Sequence, residues 1–183
     1  MTVTPLPLAG AARVVRRPVG DARGFLARVY CADTLAAAGW TGPVAQVNHT
    51  HTALRGTVRG MHLQHPPHAE WKLVSCLRGA VWDVAVDLRA GSPTLGAWHG
   101  ETLSADNHTA LLIPPGCAHG FQALTDDVEL LYVHSAPYVP SHEAGVRPDD
   151  PRLAIAWPLP ISVRSARDAG HPLLPPDFTG FPS

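Results

Sequence analysis

One histidine stands in a setting suited to acid–base chemistry. His62 lies in residues 59–64, a short strand-like run that Gly60 interrupts. Lys72 follows ten residues later and is the only lysine in the chain, beside 13 arginines. Codon bias can explain that imbalance, but a position that keeps a compact ammonium also suits a site that needs a point charge. We hypothesise that His62 is a catalytic base.

A second histidine follows a turn rich in proline and glycine. The pattern Pro114-x-Gly-x-x-His119 presents this histidine at the entrance to a strand. Together with the earlier Gly-x-His segment, it is typical of cupin-type barrels, which direct two histidine-bearing strands into one lumen. Tyr132 and His134 share one face of the next predicted strand, because side chains alternate with a period of two.

The alternation of side chains along a strand also predicts which residues lie on the same face as His62. Gln64 shares its face, and Lys72 can share it if its strand pairs nearby. Arg59 falls on the opposite face unless Gly60 marks a β-bulge, which is a usual reason for a glycine inside a strand. We therefore expect a bulge at Gly60 if Arg59 belongs to the same site.

Alternating apolar and polar residues from position 43 onward predict the strands that carry these side chains. Residues 80–88 show the alternation most clearly, with Trp82 and Val84 opposing Val81 and Asp83. Short strands separated by Gly, Pro and Asp turns favour an antiparallel sandwich or barrel. The predicted strands are residues 11–18, 25–30, 44–48, 55–64, 71–77, 80–88, 97–103, 109–114, 120–124 and 128–135.

Few helices are expected. Residues 33–39 have a capping Asp or Thr, an alanine body and a final glycine, which together predict a short helix. A second short helix is predicted at 162–169. No linker divides the chain, so we expect one domain over residues 1–183. Residues 1–20 would form an N-terminal arm or edge strand, loose over the first ten residues, and 137–183 a C-terminal wrap.

Composition excludes several classes of function. With 183 residues, 45% of them hydrophobic, the chain can bury one sizeable core. A net charge of -1 gives no basic footprint for nucleic acid. Three cysteines without a CxxC pattern argue against a disulfide framework and favour a reducing cytoplasm. No apolar run approaches the roughly 20 residues of a membrane span, so no membrane partner is expected.

The motifs, taken in order, resemble the deoxythymidine-diphosphate (dTDP)-4-keto-6-deoxyglucose 3,5-epimerases, including mono-epimerases of deoxysugar biosynthesis. The resemblance implies an all-β fold, a double-stranded β-helix (cupin-like jelly roll) with short peripheral helices, a homodimer, and no cofactor or metal. The matching segments span nearly the whole chain: residues 21–25 (DARGF), 46–48 (QVN), 59–64 (RGMHLQ), 72–74 (KLV), 83–89 (DVAVDLR), 115–121 (PGCAHGF), and 138–140 with Glu143.

The resemblance also implies catalytic roles. His62 would remove the proton beside a ketone, oriented by Asp168, with Asp177 as the alternative carboxylate. Lys72 would face the carbon-4 oxygen and stabilise the enolate. Tyr132 would return a proton from the opposite face of the sugar, with Tyr138 as the alternative acid. Inversion at carbon 3, carbon 5 or both stays open.

Substrate contacts carry over in the same way. The expected ligand is a dTDP-linked 4-keto-6-deoxy sugar, whose diphosphate suits arginine forks. Arg28 departs from the family, which usually has a glutamate that contacts the nucleotide, and Arg167 stands where lysine is commoner. The implied binding residues are Arg23, Phe25, Gln46, Asn48, Arg59, His119, Tyr138, Glu143 and Arg167.

Two rival functions are open at this point. A metal-dependent cupin would need two histidines one residue apart, a glutamate and a later histidine. His62, Glu70 and His119 supply three of these, but Gln64 stands where the second histidine belongs, and an amide is a poor ligand for a transition metal. A non-catalytic sugar-binding barrel would be expected to lack His62, Lys72 or Tyr132, and all three are present.

Overall fold

The structure, a computed structural model, describes residues 1–182. Two short α-helices, α1 (Ala32–Ala36) and α2 (Ala166–Gly170), and a 3₁₀ turn at Pro140–His142 accompany 13 strands. The strands are β1 (Thr2–Pro5), β2 (Ala12–Val15), β3 (Val19–Asp21), β4 (Gly24–Leu26), β5 (Gln46–Thr52), β6 (Val58–Gln64), β7 (Lys72–Arg78), β8 (Ala80–Asp87), β9 (Trp98–Ser104), β10 (Thr109–Ile113), β11 (Cys117–Ala123), β12 (Val128–His134) and β13 (Glu143–Gly145).

Two antiparallel sheets pack face to face as a cupin-like jelly roll, as the family resemblance implies. The first sheet has the order β1-β2-β10-β7-β12-β5, and the second has the order β13-β6-β11-β8-β9. Strands β3 and β4 form a separate hairpin. None of the helices within residues 1–182 combines the length and the apolar character that crossing a membrane would require.

Strand β8 is buried on both faces, and the predicted alternation assigns its residues to one face or the other. Val81 and Ala85 belong to the core between the sheets, whereas Val84 and Val86 pack under the C-terminal segment. That segment contributes Leu153, among other apolar residues, to the apolar cluster that contains Val84 and Val86. The C-terminal wrap therefore covers the outer face of the second sheet. The outer face of the first sheet is covered by Leu35 and Trp40, in and after α1.

The ends of the chain differ from the sequence-based expectation. Residues 1–10 are not a loose arm, because β1 pairs with β2 at the edge of the first sheet. Helix α1 begins after Cys31, not after a capping Asp or Thr, and no side chain caps it. Helix α2 begins at Ala166, later than the predicted start. Strand β13 was not predicted; it is only three residues long and pairs with β6.

The bulge expected at Gly60 is confirmed. His62 lies opposite His119, and Arg59 lies opposite Phe121, so three steps along β6 match two steps along β11. Gly60 has a φ of +124°, and a Cβ there would lie 2.5 Å from Gly120 Cα. Only glycine fits, because both the backbone angle and the close approach exclude a side chain. The extra residue turns Arg59 towards the same cavity as His62.

Candidate active site

A cavity of about 640 Å³ opens between the two sheets, and most of the expected site residues line it. They come from β5, β6, β7, β11, β12 and β13, from the connection that follows β12 and from the segment that contains α2. The jelly roll therefore gathers residues that lie more than 100 positions apart in the chain. The lining includes His62, Lys72, Tyr132, Asp168, Asn48, Arg59, His119, Tyr138, Glu143 and Arg167.

His62 and Asp168 form the pair that the resemblance implied. His62 Nε2 lies 2.8 Å from Asp168 Oδ1, and the Gly60 N–H donates to Asp168 Oδ2 at 3.2 Å. The backbone N–H of Asp168 donates to the Ser165 hydroxyl at 3.0 Å, which caps α2. The Asp168 side chain is 4% exposed, whereas that of His62 is 25% exposed and faces the cavity.

This arrangement fixes the ionisation of Asp168 and the tautomer of the His62 ring. Burial raises the pKa of Asp168, but hydrogen bonds from His62, the Gly60 N–H and Ser165 outweigh it and leave the pKa at about 2. The ionised carboxylate holds the imidazole proton on Nε2, so Nδ1 carries the free lone pair of a base. Arg167 Nη2 lies 3.3 Å from the same Nε2, but the shorter contact with the carboxylate sets the direction of the N–H.

Lys72 reaches the site from the opposite sheet, and not from a strand paired with β6. Its Nζ lies 3.0 Å from Glu70 Oε1 and donates to the His62 carbonyl oxygen at 3.2 Å. Gln64 donates to Glu70 Oε2 at 3.0 Å. An ammonium has three N–H donors, so one is left for a ligand. Glu70 and His62 thus anchor a buried cation beside the cavity.

Tyr132 also belongs to the opposite sheet from His62. Its ring packs edge-on against His119 and is stacked on His134, with ring centroids 5.7 Å and 6.0 Å away. Desolvation, and to a smaller extent the charge of Asp83, raises the pKa of Tyr132 above its ordinary value, so the phenol is protonated at neutral pH. Tyr138 lies at the mouth of the cavity, is 48% exposed, and donates to Glu143 at 2.8 Å.

The two histidines that pack against Tyr132 differ in their surroundings. His119 Nε2 lies 2.7 Å from Oδ1 of the fully buried Asp83. Desolvation, followed by the charge of Lys72, lowers the pKa of His134 to about 4, so this imidazole is neutral at pH 7. A neutral imidazole can donate one hydrogen bond and accept another.

Cationic groups sit near the mouth of the cavity. Arg167 Nη1 donates to Glu143 Oε2 at 3.1 Å, and Arg59 Nε donates to Thr52 Oγ1 at 3.0 Å. Gln46 does not line the cavity but supports its edge. Its Oε1 accepts from the Tyr138 N–H at 2.9 Å, and its Nε2 donates to Asn48 at 3.0 Å.

Three expected binding residues do not line the cavity of their own chain: Gln46, at its edge, and Arg23 and Phe25, on the β3–β4 hairpin. Arg23 pairs with Asp21 on the β3–β4 hairpin, and Phe25 on the same hairpin is 67% exposed. Arg28 lies after the hairpin and donates to the Cys31 thiol. Asp177 is exposed and does not line the cavity.

Some site residues had no role assigned from the sequence. Ser165 caps α2 through Asp168, and its Ser-x-x-Asp spacing is a helix-start signal that could have revealed it. His134 was placed only on the face of Tyr132. His171 gave no local signal, because its contact with His62 joins residues more than 100 positions apart.

The residues that a metal-dependent cupin would use as metal ligands have other hydrogen-bond partners. Glu70 bonds to Lys72 and Gln64, and His119 bonds to Asp83. Within residues 1–182, the one group of three His, Cys, Asp or Glu side chains close enough to share a metal ion is His62, Asp168 and His171. The ligands expected for that cupin therefore do not converge in the described part of the chain.

Comparison with known proteins gives a consistent result. The sequence pattern of the dTDP-4-dehydrorhamnose 3,5-epimerase family matches residues 5–175. The chain is 42% identical over 159 residues to the dTDP-4-dehydrorhamnose 3,5-epimerase of Sinorhizobium fredii, covering 86% of this chain and 82% of that protein. It is 41% identical over 175 residues to the dTDP-4-dehydrorhamnose 3-epimerase of Streptomyces niveus, covering 95% of this chain and 84% of that one.

Solved structures match over the same extent. NovW, a 4-keto-6-deoxy sugar epimerase of Streptomyces spheroides, has a TM-score of 0.90 and 40% identity over 94% of this chain and 87% of its own. ChmJ, a 3'-monoepimerase of Streptomyces bikiniensis solved with dTDP-quinovose, has a TM-score of 0.85 and 38% identity over 92% of this chain and 86% of its own. The chain therefore belongs to the dTDP-4-dehydrorhamnose 3,5-epimerase family.

Proposed function

We propose that this protein is a cofactor-independent epimerase. It inverts carbon 3, carbon 5 or both in a dTDP-linked 4-keto-6-deoxyhexose, through an enolate that His62 generates. The observation that carries the proposal is the His62–Asp168 pair at 2.8 Å, which faces Lys72 and Tyr132 across one cavity. The activities named for the similar proteins from Sinorhizobium fredii and Streptomyces niveus support the substrate class.

The chemistry balances with the residues present. Nδ1 of His62 takes the proton from a carbon beside the ketone, and the electron pair moves to the carbon-4 oxygen. The free N–H of Lys72 stabilises that oxygen, and the near-complete burial of this side chain strengthens the effect of its charge. Tyr132 then gives its proton to the opposite face of the same carbon, and the ketone re-forms. His62 releases the proton it took to solvent, and solvent reprotonates the phenolate.

The diphosphate is assigned to the arginines. Arg59 and Arg167 bring two guanidinium groups to the cavity, which suits an anionic ligand. Tyr138 at the cavity mouth has an exposed ring on which a thymine base can stack. Gln46 and Glu143 position this tyrosine through its backbone N–H and its hydroxyl.

A homodimer would account for Arg23 and Phe25. Their hairpin exposes Val19, Phe25 and Leu26 by 75%, 67% and 79%, which is unusual for apolar side chains in a monomer. If the hairpin packs on a second copy, Arg23 can serve the partner's cavity. Light scattering should then give twice the chain mass, and Phe25→Asp together with Leu26→Asp should yield a monomer. A wild-type monomer would contradict the dimer.

We further propose a single epimerase domain over residues 1–183 and a cytoplasmic location. The three cysteines are free thiols, and two of them, Cys76 and Cys117, are buried. Reduced thiols suit a reducing compartment.

Exchange of solvent deuterium tests the function directly. Metal-free protein should introduce deuterium at carbon 3 or carbon 5 of the keto sugar, and the proton spectrum in heavy water reports which carbon exchanges. His62→Ala should abolish the exchange with the fold intact, whereas His49→Ala, at an exposed histidine, should not change it.

Two results would favour the rivals. Activity that is lost to a chelator and restored by a transition metal would favour the metal-dependent cupin. Tight binding of the sugar nucleotide by wild-type protein without any exchange would favour the non-catalytic barrel.

A further inference from the structure

His171 is a histidine that the proposed mechanism does not use, yet it packs against the base. It follows α2 directly, and its ring lies 5.6 Å from the His62 ring at an angle of 65°. Its Nε2 is buried and has no hydrogen-bond partner within residues 1–182. An unpartnered buried nitrogen beside a histidine–carboxylate pair calls for a physical explanation.

The packing holds this imidazole in place. A Cβ on Gly145 would lie 2.5 Å from His171 Nε2, so the ring occupies space that only a glycine leaves free. Gly145 is also the residue of β13 that pairs with His62. On the other side, Asp168 is tied to the start of α2 through Ser165. The three side chains are thus held together by two short elements, β13 and α2.

The donor set fits a transition metal. His62, Asp168 and His171 each offer one ligand atom, and these atoms lie within 4.8 Å of one another. With bonds of about 2.1 Å, two ligand atoms on a tetrahedral ion lie about 3.4 Å apart, so binding requires side-chain rotations that bring the three atoms closer together. Two imidazoles and one carboxylate suit Zn²⁺ and its neighbours, whereas Mg²⁺ and Ca²⁺ prefer oxygen ligands.

We propose that His62, Asp168 and His171 form a binding site for a divalent transition metal ion such as Zn²⁺, and that the bound ion inhibits the enzyme. The inhibitory part rests on the proposed function, because it requires His62 to be the base. A neutral imidazole has one proton and one lone pair. Coordination through Nε2 moves the proton to Nδ1, the nitrogen that must accept the substrate proton.

Metal binding is tested without substrate. Metal-free full-length protein is titrated with Zn²⁺ by calorimetry and with Co²⁺ by visible absorption, which reports the ligand geometry. Wild-type protein should bind one ion at this site. His171→Ala and the larger His171→Gln should weaken binding by at least about tenfold, while His49→Ala should not, and Mg²⁺ should give no signal. Circular dichroism checks that each variant is folded, and His171→Gln retains volume if the alanine variant is not.

Unchanged Zn²⁺ affinity in a folded His171 variant would overturn the site, as would wild-type protein that binds no ion. Inhibition is then measured by deuterium exchange. Zn²⁺ should stop the exchange in wild-type protein, and His171→Gln should require at least about tenfold more Zn²⁺. Undiminished exchange in Zn²⁺-saturated protein would overturn the inhibitory role. If metal-free wild-type protein shows no exchange at all, the proposed function fails, while calorimetry still decides the metal site.

Discussion

Asp168→Asn tests the central pair most sharply, because the two carboxylate oxygens accept hydrogen bonds from different donors. Oδ1 accepts from His62, and Oδ2 accepts from the Gly60 N–H. An asparagine has one acceptor oxygen, and the backbone N–H of Gly60 cannot change its role. The amide oxygen must therefore face Gly60, and the amide NH₂ must face His62. His62 then has to carry its proton on Nδ1, which removes the base.

The size of the effect follows from the same contacts. The interactions of Asp168 lower its pKa from 3.8 to about 2, and at about 1.4 kcal/mol per pKa unit this corresponds to about 2.5 kcal/mol in favour of the ionised form. We expect Asp168→Asn to lower the free energy of unfolding at pH 7 by about 2 kcal/mol. Loss of general-base catalysis should slow deuterium exchange by about 10² to 10⁴-fold.

The assay is exchange of solvent deuterium into the keto sugar, with urea unfolding in parallel. Asp177→Asn is the matched control, because Asp177 is exposed and outside the cavity. The pKa of Asp168 is depressed in the folded protein, so its stabilisation is present above pH 3.8 and is lost as the pH falls through about 2. The asparagine variant should lack this acid-dependent loss. Exchange within threefold of wild type would refute the assignment of the pair.

Three further substitutions test the remaining parts of the site. Gly60→Ala should destabilise the fold by about 3 kcal/mol and remove activity, because its Cβ would lie 2.5 Å from Gly120 Cα; a stable, active variant in urea unfolding and exchange assays would contradict the bulge. The Tyr132→Phe variant should still exchange the substrate proton with solvent but should invert the carbon about 10²-fold or more slowly, whereas Tyr138→Phe should mainly weaken substrate binding. Product analysis in heavy water distinguishes the two effects. The reverse pattern would make Tyr138 the acid. Lys72→Gln should slow exchange by about 10² to 10³-fold and lower the free energy of unfolding by about 3 kcal/mol, because the side chain of Glu70, 5% exposed, loses its cation. Adding Glu70→Gln should restore stability but not activity. Recovered activity would show that the charge of Lys72 is dispensable.

Local periodicity was sufficient to predict much of the fold. The alternation in β8 depends only on neighbouring residues, and the strand lies within one residue of its predicted bounds. The bulge at Gly60 was also predictable, because glycine inside a strand and an arginine on the wrong face are both visible in the sequence. Strand β1 escaped prediction, because its pairing with β2, and not its own composition, makes it a strand.

The sequence by itself determined the all-β class, the family resemblance and the side chains proposed to carry the chemistry. It did so because residue identity and period-two spacing are local properties. Only the tertiary structure decided that Lys72 meets His62 from the opposite sheet, that Asp168 rather than Asp177 reaches His62, and that His171 lies beside them. Those contacts depend on how two sheets and a C-terminal segment pack over separations of up to 109 residues, and no short window of sequence records that packing.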